Sequence, residues 1–501
     1  MARRPEGGNV VQLAAVQGAK GRRGRGGGTQ ADKLLTALDG CALWHTPDRE
    51  AFITLTAPNP GGQGDHAENW PLRHKEARAW LSGRFYDRHG TTPGAQAMED
   101  ALRVLEGRAL REGECHAPAL RVGEHAGRIY LDLADPLWRA VEIGPSGWCV
   151  VPMAPVKFVR PKAMRPLPVP EAGGLIEALR GFVNLGSDDD WRLVVGYLVG
   201  ALRPRGPYPI LCINGEQGSA KSTTTRMLRA LIDPNASPLR SPPRDERDLV
   251  VSADNSWALA FDNLSSIEAW NADALCRLST GGGFATRALH TDRDELVIEA
   301  QRPVILNGIP DLGNRADLAD RSLAIVLPAI PEGARQSEAG LWERFDAERP
   351  AILGALCDAV ACALRRLPSI ELPSSPRMAD FAAWVTAAEP ALGWADGAFL
   401  VTYAGNRAGQ VEVAIDADPV ATGVRQLADE QASWEGTATA LLEALEARVP
   451  ERQRGRNWPG AAHALSARVR RAAAPLRQVG VVVQTFSERT RRTIRISRQA
   501  T

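Results

Sequence analysis

The chain has 501 residues, of which 44% are apolar and 24% are charged, and its formal net charge is +1. This length predicts about three domains, with enough apolar residues for each to bury a core. The longest apolar stretch, Trp191 to Leu202, is too short to cross a bilayer, and the first residues lack the apolar segment of a signal peptide. We therefore expect a multidomain, cytoplasmic protein without a membrane-spanning segment.

Positive charge is concentrated at the two ends of the chain. Residues 1–30 contain six basic residues and one acidic residue among many glycines, which predicts a disordered basic tail. Residues 451–501 contain twelve arginines and two glutamates. A segment with this charge has an electrostatic preference for polyanions such as DNA.

The seven cysteines are scattered along the chain and include no CxxC pair. This pattern argues against disulfides and against a structural zinc site, which needs two closely spaced pairs of ligands. We predict no metal site other than one for Mg²⁺.

The N-terminal part of the chain combines helical and strand patterns, which predicts an α+β accessory domain over residues 31–165. Two helices and three short strands are predicted, at Lys75–Asp87, Gln96–Glu112, 120–124, 128–133 and 147–151. Five prolines between Pro155 and Pro170 exclude a regular element and mark the end of this domain.

Apolar strands alternate with helices in the middle of the chain, which predicts a mainly parallel α/β core over residues 166–370. The predicted strands are 208–214, 257–261, 303–307 and 322–328, and the predicted helices are 175–184, 190–202, 223–232 and 350–366. A helical linker region is predicted over residues 371–430.

The last segment, residues 431–501, has helical patterns followed by two strands. The helices are predicted at Glu435–Arg448 and Ala461–Gln478, the second interrupted by Pro475, and the strands at 480–486 and 491–497. Helices followed by a two-stranded ribbon are typical of a winged helix-turn-helix. We predict a basic winged-helix DNA-binding domain.

Residues 215–222 read GEQGSAKS and lie between a predicted strand and a predicted helix, which is the context of a P-loop. Gly215 and Gly218 allow backbone N–H groups to approach phosphates, and the helix points its positive end at the same place. Lys221 can reach the β and γ phosphates of ATP, and the Ser222 hydroxyl can bind Mg²⁺. The predicted nucleotide-binding residues are Gly215, Gln217, Gly218, Ser219, Ala220, Lys221, Ser222 and Thr223.

One residue of this motif departs from the usual pattern, because Ala220 stands where glycine commonly precedes the lysine. A methyl group is tolerable there if the φ angle is negative. The P-loop interpretation is retained on this condition.

Asp262 follows the predicted strand WALAF and supplies the second metal anchor that a P-loop needs. A helix cap or turn residue is the alternative reading of Asp262. Asn263 occupies the position where hydrolysing P-loop enzymes commonly carry an acid that polarises the attacking water. Since an amide cannot take a proton, ATP binding is better supported than efficient hydrolysis.

With these motifs, residues 171–330 resemble the core of superfamily 3 helicases, the AAA+ type found in viruses, phages and integrative elements, near the poxvirus helicase-primase group. The sensor strand of that family ends in asparagine, matched by Asn307 in RPVILNGIPDL, and LSTGGGFATRALHTDRDELVIEAQRP occupies the interval of a DNA-contacting hairpin. The resemblance extends to phage and genomic-island ATP-binding proteins with PRMADFAAW and a basic winged-helix tail. It covers most of residues 40–500 and implies a bacterial protein.

The resemblance implies functional residues outside the P-loop. His290 and Arg293 at the hairpin tip are expected to contact single-stranded DNA in a ring channel, with a solvated surface turn as the alternative. Asn307 is expected to orient the attacking water, with a simple strand-ending turn as the alternative.

The resemblance also implies a ring-shaped homo-oligomer, expected to be a hexamer. Arg321, in the DLxDR pattern of the family, is the candidate arginine that enters the ATP site of the neighbouring subunit. A structural salt bridge from Arg321 to Asp317 or Asp320 is the competing interpretation.

The predicted winged helix supplies candidate contacts to duplex DNA. Arg468, Arg470 and Arg471 lie on a predicted helix, and Arg491 and Arg492 lie in the predicted ribbon. These two elements would place arginines against phosphates. A general abundance of arginine in this chain is the alternative explanation.

These observations favour an ATP-driven, ring-forming DNA helicase or translocase that serves replication of a phage or mobile element. An ATP-dependent DNA-binding switch or assembly factor, with little hydrolysis and no unwinding, is the second hypothesis, because of Asn263. A third hypothesis, a small-molecule P-loop kinase, is poorly supported, since such an enzyme needs neither the hairpin interval nor a basic C-terminal domain.

Overall fold

The computed structural model describes residues 28–60, 64–264, 266–287, 295–298, 300–308, 316–454, 458–487 and 492–499. Residues 1–27 of the predicted basic tail lie outside the described residues. The chain divides into two compact units: residues up to Leu55 with Trp70–Cys115, and Thr56–Asn69 with His116–Thr501. The predicted accessory domain, 31–165, contains residues of both units.

The first unit combines helices with a small sheet. Its elements are α1 (Gln30–Leu35), β1 (Ala42–His45), β2 (Ala51–Pro58), α2 (Lys75–His89), α3 (Ala95–Glu112) and β4 (Glu114–Cys115), and β3 (Asp65–Pro71) joins the sheet in the order β3-β2-β1-β4. Helix α3 buries one face, at the spacing of an amphipathic helix, through Met98, Ala101, Leu102, Leu105 and Ala109. Both predicted helices are present within two residues of their predicted bounds.

The long continuous part of the second unit begins with an antiparallel sheet in the order β5-β6-β7-β8. Its strands are β5 (Val122–His125), β6 (Arg128–Asp132), β7 (Ala140–Gly144) and β8 (Gly147–Val151). Ala126 and Gly127, with φ of +49° and +73°, form the two-residue turn between β5 and β6, as in a type I′ hairpin. The sequence patterns predicted three of these strands and missed β7.

A parallel sheet in the order β10-β13-β9-β14 forms the centre of the second unit. Its strands are β9 (Ile210–Gly215), β10 (Leu259–Phe261), β13 (Val304–Asn307) and β14 (Ser322–Leu327), and the helices between or before them are α4 (Asp188–Ala201), α5 (Lys221–Ile232), α6 (Glu246–Asp254), α7 (Ala269–Thr280) and α8 (Ala316–Ala319). The strands are mostly apolar because helices cover both faces of a parallel sheet. The structure confirms the predicted parallel α/β core.

One element of this core differs from the prediction, and part of another lies outside the described residues. The predicted helix at 175–184 is a short 3₁₀ helix, Ile176–Gly181. The predicted hairpin contains β11 (Phe284–Arg287) paired antiparallel with β12 (Glu295–Ile298). Its predicted tip, with His290 and Arg293, lies outside the described residues.

Three helices follow the parallel sheet: α9 (Glu338–Arg366), α10 (Ala379–Ala388) and α11 (Ala398–Ala417). The prediction that a helix begins at Pro350 was wrong, because α9 begins twelve residues earlier and contains Pro350. Its N-cap is Ser337, whose hydroxyl accepts a hydrogen bond from the Gly340 N–H at 3.3 Å. The carbonyl of Pro350 accepts a hydrogen bond from the Glu171 N–H at 2.9 Å, so the proline lies at a tertiary contact.

Side chains cover the outer edge of β14. Asn406 accepts a hydrogen bond from the Ala324 N–H at 3.1 Å and donates one to the Ala324 carbonyl at 2.6 Å. Gln410 donates to the Ser322 carbonyl at 3.0 Å. These two side chains bond backbone groups that an edge strand otherwise presents to another strand.

The C-terminal elements are α12 (Pro419–Glu430), β15 (Ser433–Gly436), α13 (Ala438–Glu446), α14 (Glu451–Arg454), α15 (Ala462–Gln478), β16 (Val481–Ser487) and β17 (Arg492–Arg498). They pack around a separate apolar cluster that includes Leu427, Leu441, Leu465 and Ile496. The three strands form an antiparallel sheet in the order β15-β17-β16.

Two predictions about this C-terminal segment were wrong. Glu435 was predicted to begin a helix but lies in β15, and α13 instead follows Thr437, whose hydroxyl accepts a hydrogen bond from the Ala440 N–H at 3.2 Å. Pro475 was predicted to interrupt a helix but lies inside α15, where it is buried. Packing of its apolar ring offsets part of the cost of a proline in a helix.

A buried carboxylate joins the antiparallel sheet to the parallel core. Asp233, which ends α5, is 1% exposed and accepts hydrogen bonds from the Arg121 Nε at 3.1 Å and from the N–H groups of Trp257 and Ala258 at 3.0 and 3.1 Å. Arg229 lies 3.9 Å from the same carboxylate, and burial lowers the pKa of Arg229 to about 10. Asp233 is therefore the anion that compensates two buried guanidinium groups.

Among the described residues, no helix combines the length and the apolar character that crossing a membrane requires.

We predict that Asp233→Asn lowers the free energy of unfolding by about 3–5 kcal/mol, because it leaves buried guanidinium groups without their compensating charge. Urea unfolding of the full chain, followed by circular dichroism, measures this change. The control is Asp346→Asn in the pair with Arg349, where the aspartate side chain is 56% exposed and the expected loss is below about 1 kcal/mol. Equal unfolding midpoints for the two variants contradict the prediction.

Candidate nucleotide site

A glycine-containing loop, residues 215–220, joins β9 to α5 and forms the centre of the site. Gly215 and Gly218 have φ angles of +148° and +86°. A Cβ atom on Gly215 would lie 2.6 Å from the carbonyl oxygen of Leu327 and 2.7 Å from Ser219 Oγ. Both the backbone angle and the close approach of β14 therefore require glycine at position 215.

The condition of a negative φ at Ala220 is not met. Ala220 has a φ of +64° and occupies the N-cap position of α5 in the left-handed conformation. For a residue with a Cβ atom this conformation costs about 1–2 kcal/mol. The reason is geometric: alternation of right- and left-handed residues turns successive N–H groups toward one point, which is the shape of an anion-binding nest.

The first turn of α5 has no side-chain cap, since Ala220 has no polar side chain to accept its N–H groups. Uncapped N–H groups and the positive end of the helix dipole favour an anion at this position. Lys221 adds a full positive charge at the same place. Its amino group donates hydrogen bonds to the carbonyls of Gly215 and Glu216, both at 2.7 Å.

Hydrogen bonds hold the remaining residues of the loop in place. Ser219 is fully buried, and its hydroxyl donates to the Glu216 carbonyl at 2.9 Å. Asn184 donates hydrogen bonds to the Ser219 carbonyl at 3.2 Å and to the Pro328 carbonyl at 2.6 Å, which ties the loop to the end of β14. Gln217 is exposed, and Thr223 accepts a hydrogen bond from Arg226 at 3.4 Å.

Ser222 and Asp262 are brought together at the start of α5. The Ser222 hydroxyl donates to the Asp262 carboxylate at 3.0 Å. The same carboxylate oxygen accepts a hydrogen bond from the Asn263 N–H at 2.9 Å, and Asn263 itself has a φ of +57°. A hydroxyl and a carboxylate this close offer two hard oxygen ligands beside the loop.

These two oxygens fit Mg²⁺ better than a metal that needs a complete protein cage. Mg²⁺ keeps several waters and binds through one or two protein oxygens together with phosphates. Within the described part of the chain, no group of three or more His, Cys, Asp or Glu side chains could hold a metal. The donor set of Ser222 and Asp262 therefore suits a metal that arrives with a phosphorylated ligand.

Asn307 ends β13 at the same edge of the sheet and is 1% exposed. Its Oδ1 accepts a hydrogen bond from the Asn263 N–H at 3.3 Å, and its Nδ2 donates to the Thr225 hydroxyl at 3.3 Å. Thr225 in turn donates to the Lys221 carbonyl at 2.9 Å. Asn307 thus links β10, β13 and α5, and no sequence motif points to the contact that Thr225 makes with it.

Arg321 lies at the opposite end of the parallel sheet from the loop. It immediately precedes β14, in which Ser322 pairs with Ile210 and Leu327 pairs with Gly215. This register separates Arg321 from the loop of its own chain by about 20 Å along the strands, at about 3.3 Å per residue. In the described structure its guanidinium donates to the main-chain carbonyl of Asp317 at 2.8 Å.

The carboxylate of Asp320 is bonded by other arginines instead of Arg321. Arg407 donates to it at 2.6 Å and Arg377 at 2.8 Å. Burial acts to raise the pKa of Asp320, but the hydrogen bonds from Arg407 and Arg377 outweigh burial and hold that pKa below its usual value. The competing salt bridge between Arg321 and Asp320 is therefore not the observed arrangement.

The structure separates the candidate DNA-binding arginines into exposed and paired groups. Arg470 and Arg471 are exposed on α15, and Arg492 is exposed at the start of β17. Arg468 instead forms an ion pair with Asp418 at 3.1 Å. Three further candidates, His290, Arg293 and Arg491, lie outside the described residues.

Two family models match the sequence. Residues 176–403 match the actinomycete integrative conjugative element replication protein, AICE_RepA, and residues 420–501 match the AICE RepA C-terminal domain. A comparison with curated proteins gave no match.

Two solved structures illustrate the structural likeness. The active helicase SCCmec type IV Cch is 11% identical, with a TM-score of 0.46 over 91% of this chain and 92% of that chain. The A form of the apo NrS-1 C-terminal region is 10% identical, with a TM-score of 0.39 over 94% of this chain and 98% of that chain. With both TM-scores below 0.5, neither likeness bears on function. Residues 176–403 and 420–501 are therefore similar to the AICE RepA replication protein families.

Proposed function

We propose that this chain is an ATP-binding and ATP-hydrolysing DNA helicase or translocase that replicates an integrative conjugative element. The observation that carries the proposal is the convergence of Lys221, Ser222, Asp262 and Asn307 on one loop at the carboxyl edge of a parallel sheet. The family matches support a role in replication, and they favour an integrative element over a phage.

In this proposal the loop is a P-loop that binds the phosphates of ATP through its N–H groups. Lys221 exchanges its two carbonyl partners for phosphate oxygens, and Ser222 and Asp262 hold Mg²⁺. The metal supplies neutralisation of charge on the β and γ phosphates. Asn307 keeps β10 and α5 in register, and its amide also orients the attacking water.

The DNA contacts in this proposal come from two elements. The hairpin of β11 and β12 presents His290 and Arg293 to single-stranded DNA in the channel of a homo-oligomeric ring, which we take to be a hexamer. The C-terminal domain, residues 431–501 with α12 packed against it, is a winged helix that binds duplex DNA. The order β15-β17-β16 with α15 before the ribbon supports that assignment.

An ATP-dependent DNA-binding switch with little hydrolysis is the second candidate, and Asn263 favours it. This residue stands next to the metal-binding carboxylate, where an acid would polarise water, and its backbone N–H is bonded to Asp262 and Asn307. The backbone N–H of Asn263 thus holds the site together, while its side-chain amide cannot accept a proton.

We predict that Lys221→Ala abolishes detectable ATP binding, because the loop loses its cation among neutral N–H donors. Calorimetric titration of the full chain with ATP and Mg²⁺ measures this. The control is Lys162→Ala, which removes an exposed lysine and should bind ATP as the wild type does. Unchanged affinity in Lys221→Ala would remove the P-loop assignment.

ATP turnover by the wild-type protein distinguishes between the two candidate functions. ATP turnover that rises with single-stranded DNA supports the helicase, whereas tight ATP binding with turnover near background supports the switch.

We also propose that Arg321 completes the ATP site of a neighbouring subunit. Its distance from the loop of its own chain supports this, since a guanidinium at the other end of the sheet has no route to the same phosphates. Charge grows on the γ phosphate oxygens during transfer, and an arginine supplied in this way contributes about 10³ to 10⁵ in rate in other P-loop enzymes.

We predict that Arg321→Ala and Lys221→Ala proteins are each inactive but recover ATP turnover when mixed. Mixed rings contain some interfaces at which Lys221 of one subunit meets Arg321 of the next. The measurement is turnover against mixing ratio, with mixing verified by a tag on one variant. No recovery in verified mixed rings shows that Arg321 is structural, bonded as it is to the Asp317 carbonyl.

We predict that replacing Arg470, Arg471 and Arg492 together by alanine weakens duplex binding and flattens its salt dependence. Loss of three phosphate contacts reduces the slope of log K against log salt by about two to three units. Binding isotherms at several salt concentrations measure the slope. The control replaces three arginines of α3, Arg103, Arg108 and Arg111, and the same slope in both variants assigns the effect to net charge alone.

A further inference from the structure

Arg335 lies beside the nucleotide loop, although the chain passes through the whole of β14 before reaching it. It follows a single 3₁₀ turn, Glu332–Ala334, and precedes Ser337, the N-cap of α9. Its side chain is exposed. The sequence motif of the loop ends about 110 residues earlier, so no spacing rule points to this arginine.

The guanidinium of Arg335 rests against Gly218. A Cβ atom built on Gly218 would lie 3.2 Å from Arg335 Nη2. This is a tight contact, so the absence of a side chain at Gly218 makes room for the guanidinium as well as permitting the φ of +86°. A positive charge therefore lies directly over the middle of the loop.

No acid in the described residues has an observed ion pair with Arg335. Two neighbouring side chains bond other arginines: Glu338 pairs with Arg226 at 2.6 Å, and Gln336 accepts from Arg344. Glu332, three residues before Arg335, forms no observed ion pair with it. An exposed arginine without a carboxylate partner, placed over a loop that favours anions, has its donors available for an anionic ligand.

We propose that Arg335 binds the terminal phosphates of a nucleoside triphosphate in the site of its own chain. This inference rests on the proposed ATP-binding function and adds a residue to it. Lys221 approaches the phosphates from the α5 side of the loop, and Arg335 approaches from the side of Gly218. Arg335 is thus a same-chain cation, separate from Arg321, which serves a neighbour.

The two cations have different tasks in this arrangement. Lys221 lies within the loop and binds phosphates of both ATP and ADP. Arg335 is attached to the short connection between β14 and α9, so its contact with a γ phosphate transmits the presence of that phosphate to α9. Discrimination between triphosphate and diphosphate therefore depends on Arg335 more than on Lys221.

The test is calorimetric titration of the full-length protein with ATP and with ADP, each with Mg²⁺, for wild type, Arg335→Ala and Arg335→Lys. We expect Arg335→Ala to weaken ATP binding about tenfold or more, as for loss of a hydrogen bond to a charged group, and to change ADP binding less than about threefold. Arg335→Lys should restore part of the ATP affinity. The control is Arg344→Ala, an exposed arginine of the same region, which should bind both nucleotides as the wild type does.

The outcomes separate this inference from the proposed function. If Lys221→Ala loses ATP binding while Arg335→Ala keeps wild-type affinity, the assignment of Arg335 is overturned and the nucleotide site stands. Equal losses for ATP and ADP in Arg335→Ala overturn its assignment to the terminal phosphates. Absence of ATP binding by the wild type overturns the proposed function and this inference with it. Matching thermal melting curves for the exposed-site variants exclude unfolding as the cause.

Discussion

Asp233 ends helix α5 and binds, through the same carboxylate, the segment that leads into strand β10. The start of α5 carries Lys221 and Ser222, and the end of β10 leads to Asp262. Because one buried anion fixes both elements, the hydroxyl of Ser222 meets the carboxylate of Asp262 at 3.0 Å. Arg121 brings the antiparallel sheet to the same anion, so the position of that sheet and the geometry of Ser222 and Asp262 depend on one buried charge cluster.

The register of the parallel strands distributes the other functional groups. Pairing of β9 with both β13 and β14 places Asn307 and the glycine loop at one edge of the sheet and Arg321 at the opposite edge. One edge can therefore bind a ligand within the chain, while the other edge presents an arginine away from it. A single sheet thus positions both groups of residues on which the proposed phosphate site and the proposed contact with another chain depend.

The sequence predicted the parts of the site that follow from strand order. Carboxyl ends of parallel strands meet at one edge, so Lys221, Ser222, Asp262 and Asn307 could be expected to converge. Contacts between distant segments could not be predicted: the Arg121–Asp233 pair spans 112 residues, and Arg335 reaches Gly218 through tertiary packing.

Predictions from local sequence patterns were wrong where tertiary contacts determine the backbone conformation. Ala220 adopts a left-handed conformation because the loop must turn its N–H groups inward. Pro350 and Pro475 lie within helices whose packing offsets their cost, although proline usually marks a helix boundary. Glu435 lies in a strand because it pairs with β17. Local sequence could not predict this pairing, because β17 lies about sixty residues away.

The side chains along β14 have a consequence for how copies of this chain can associate. Asn406 and Gln410 already bond the backbone of the outer strand, so a second copy can add its own strand there only after these two side chains release their backbone partners. Copies that meet at this edge without that release join side-chain surfaces, which can slide or rotate against each other, whereas a shared sheet would lock the copies into one rigid body.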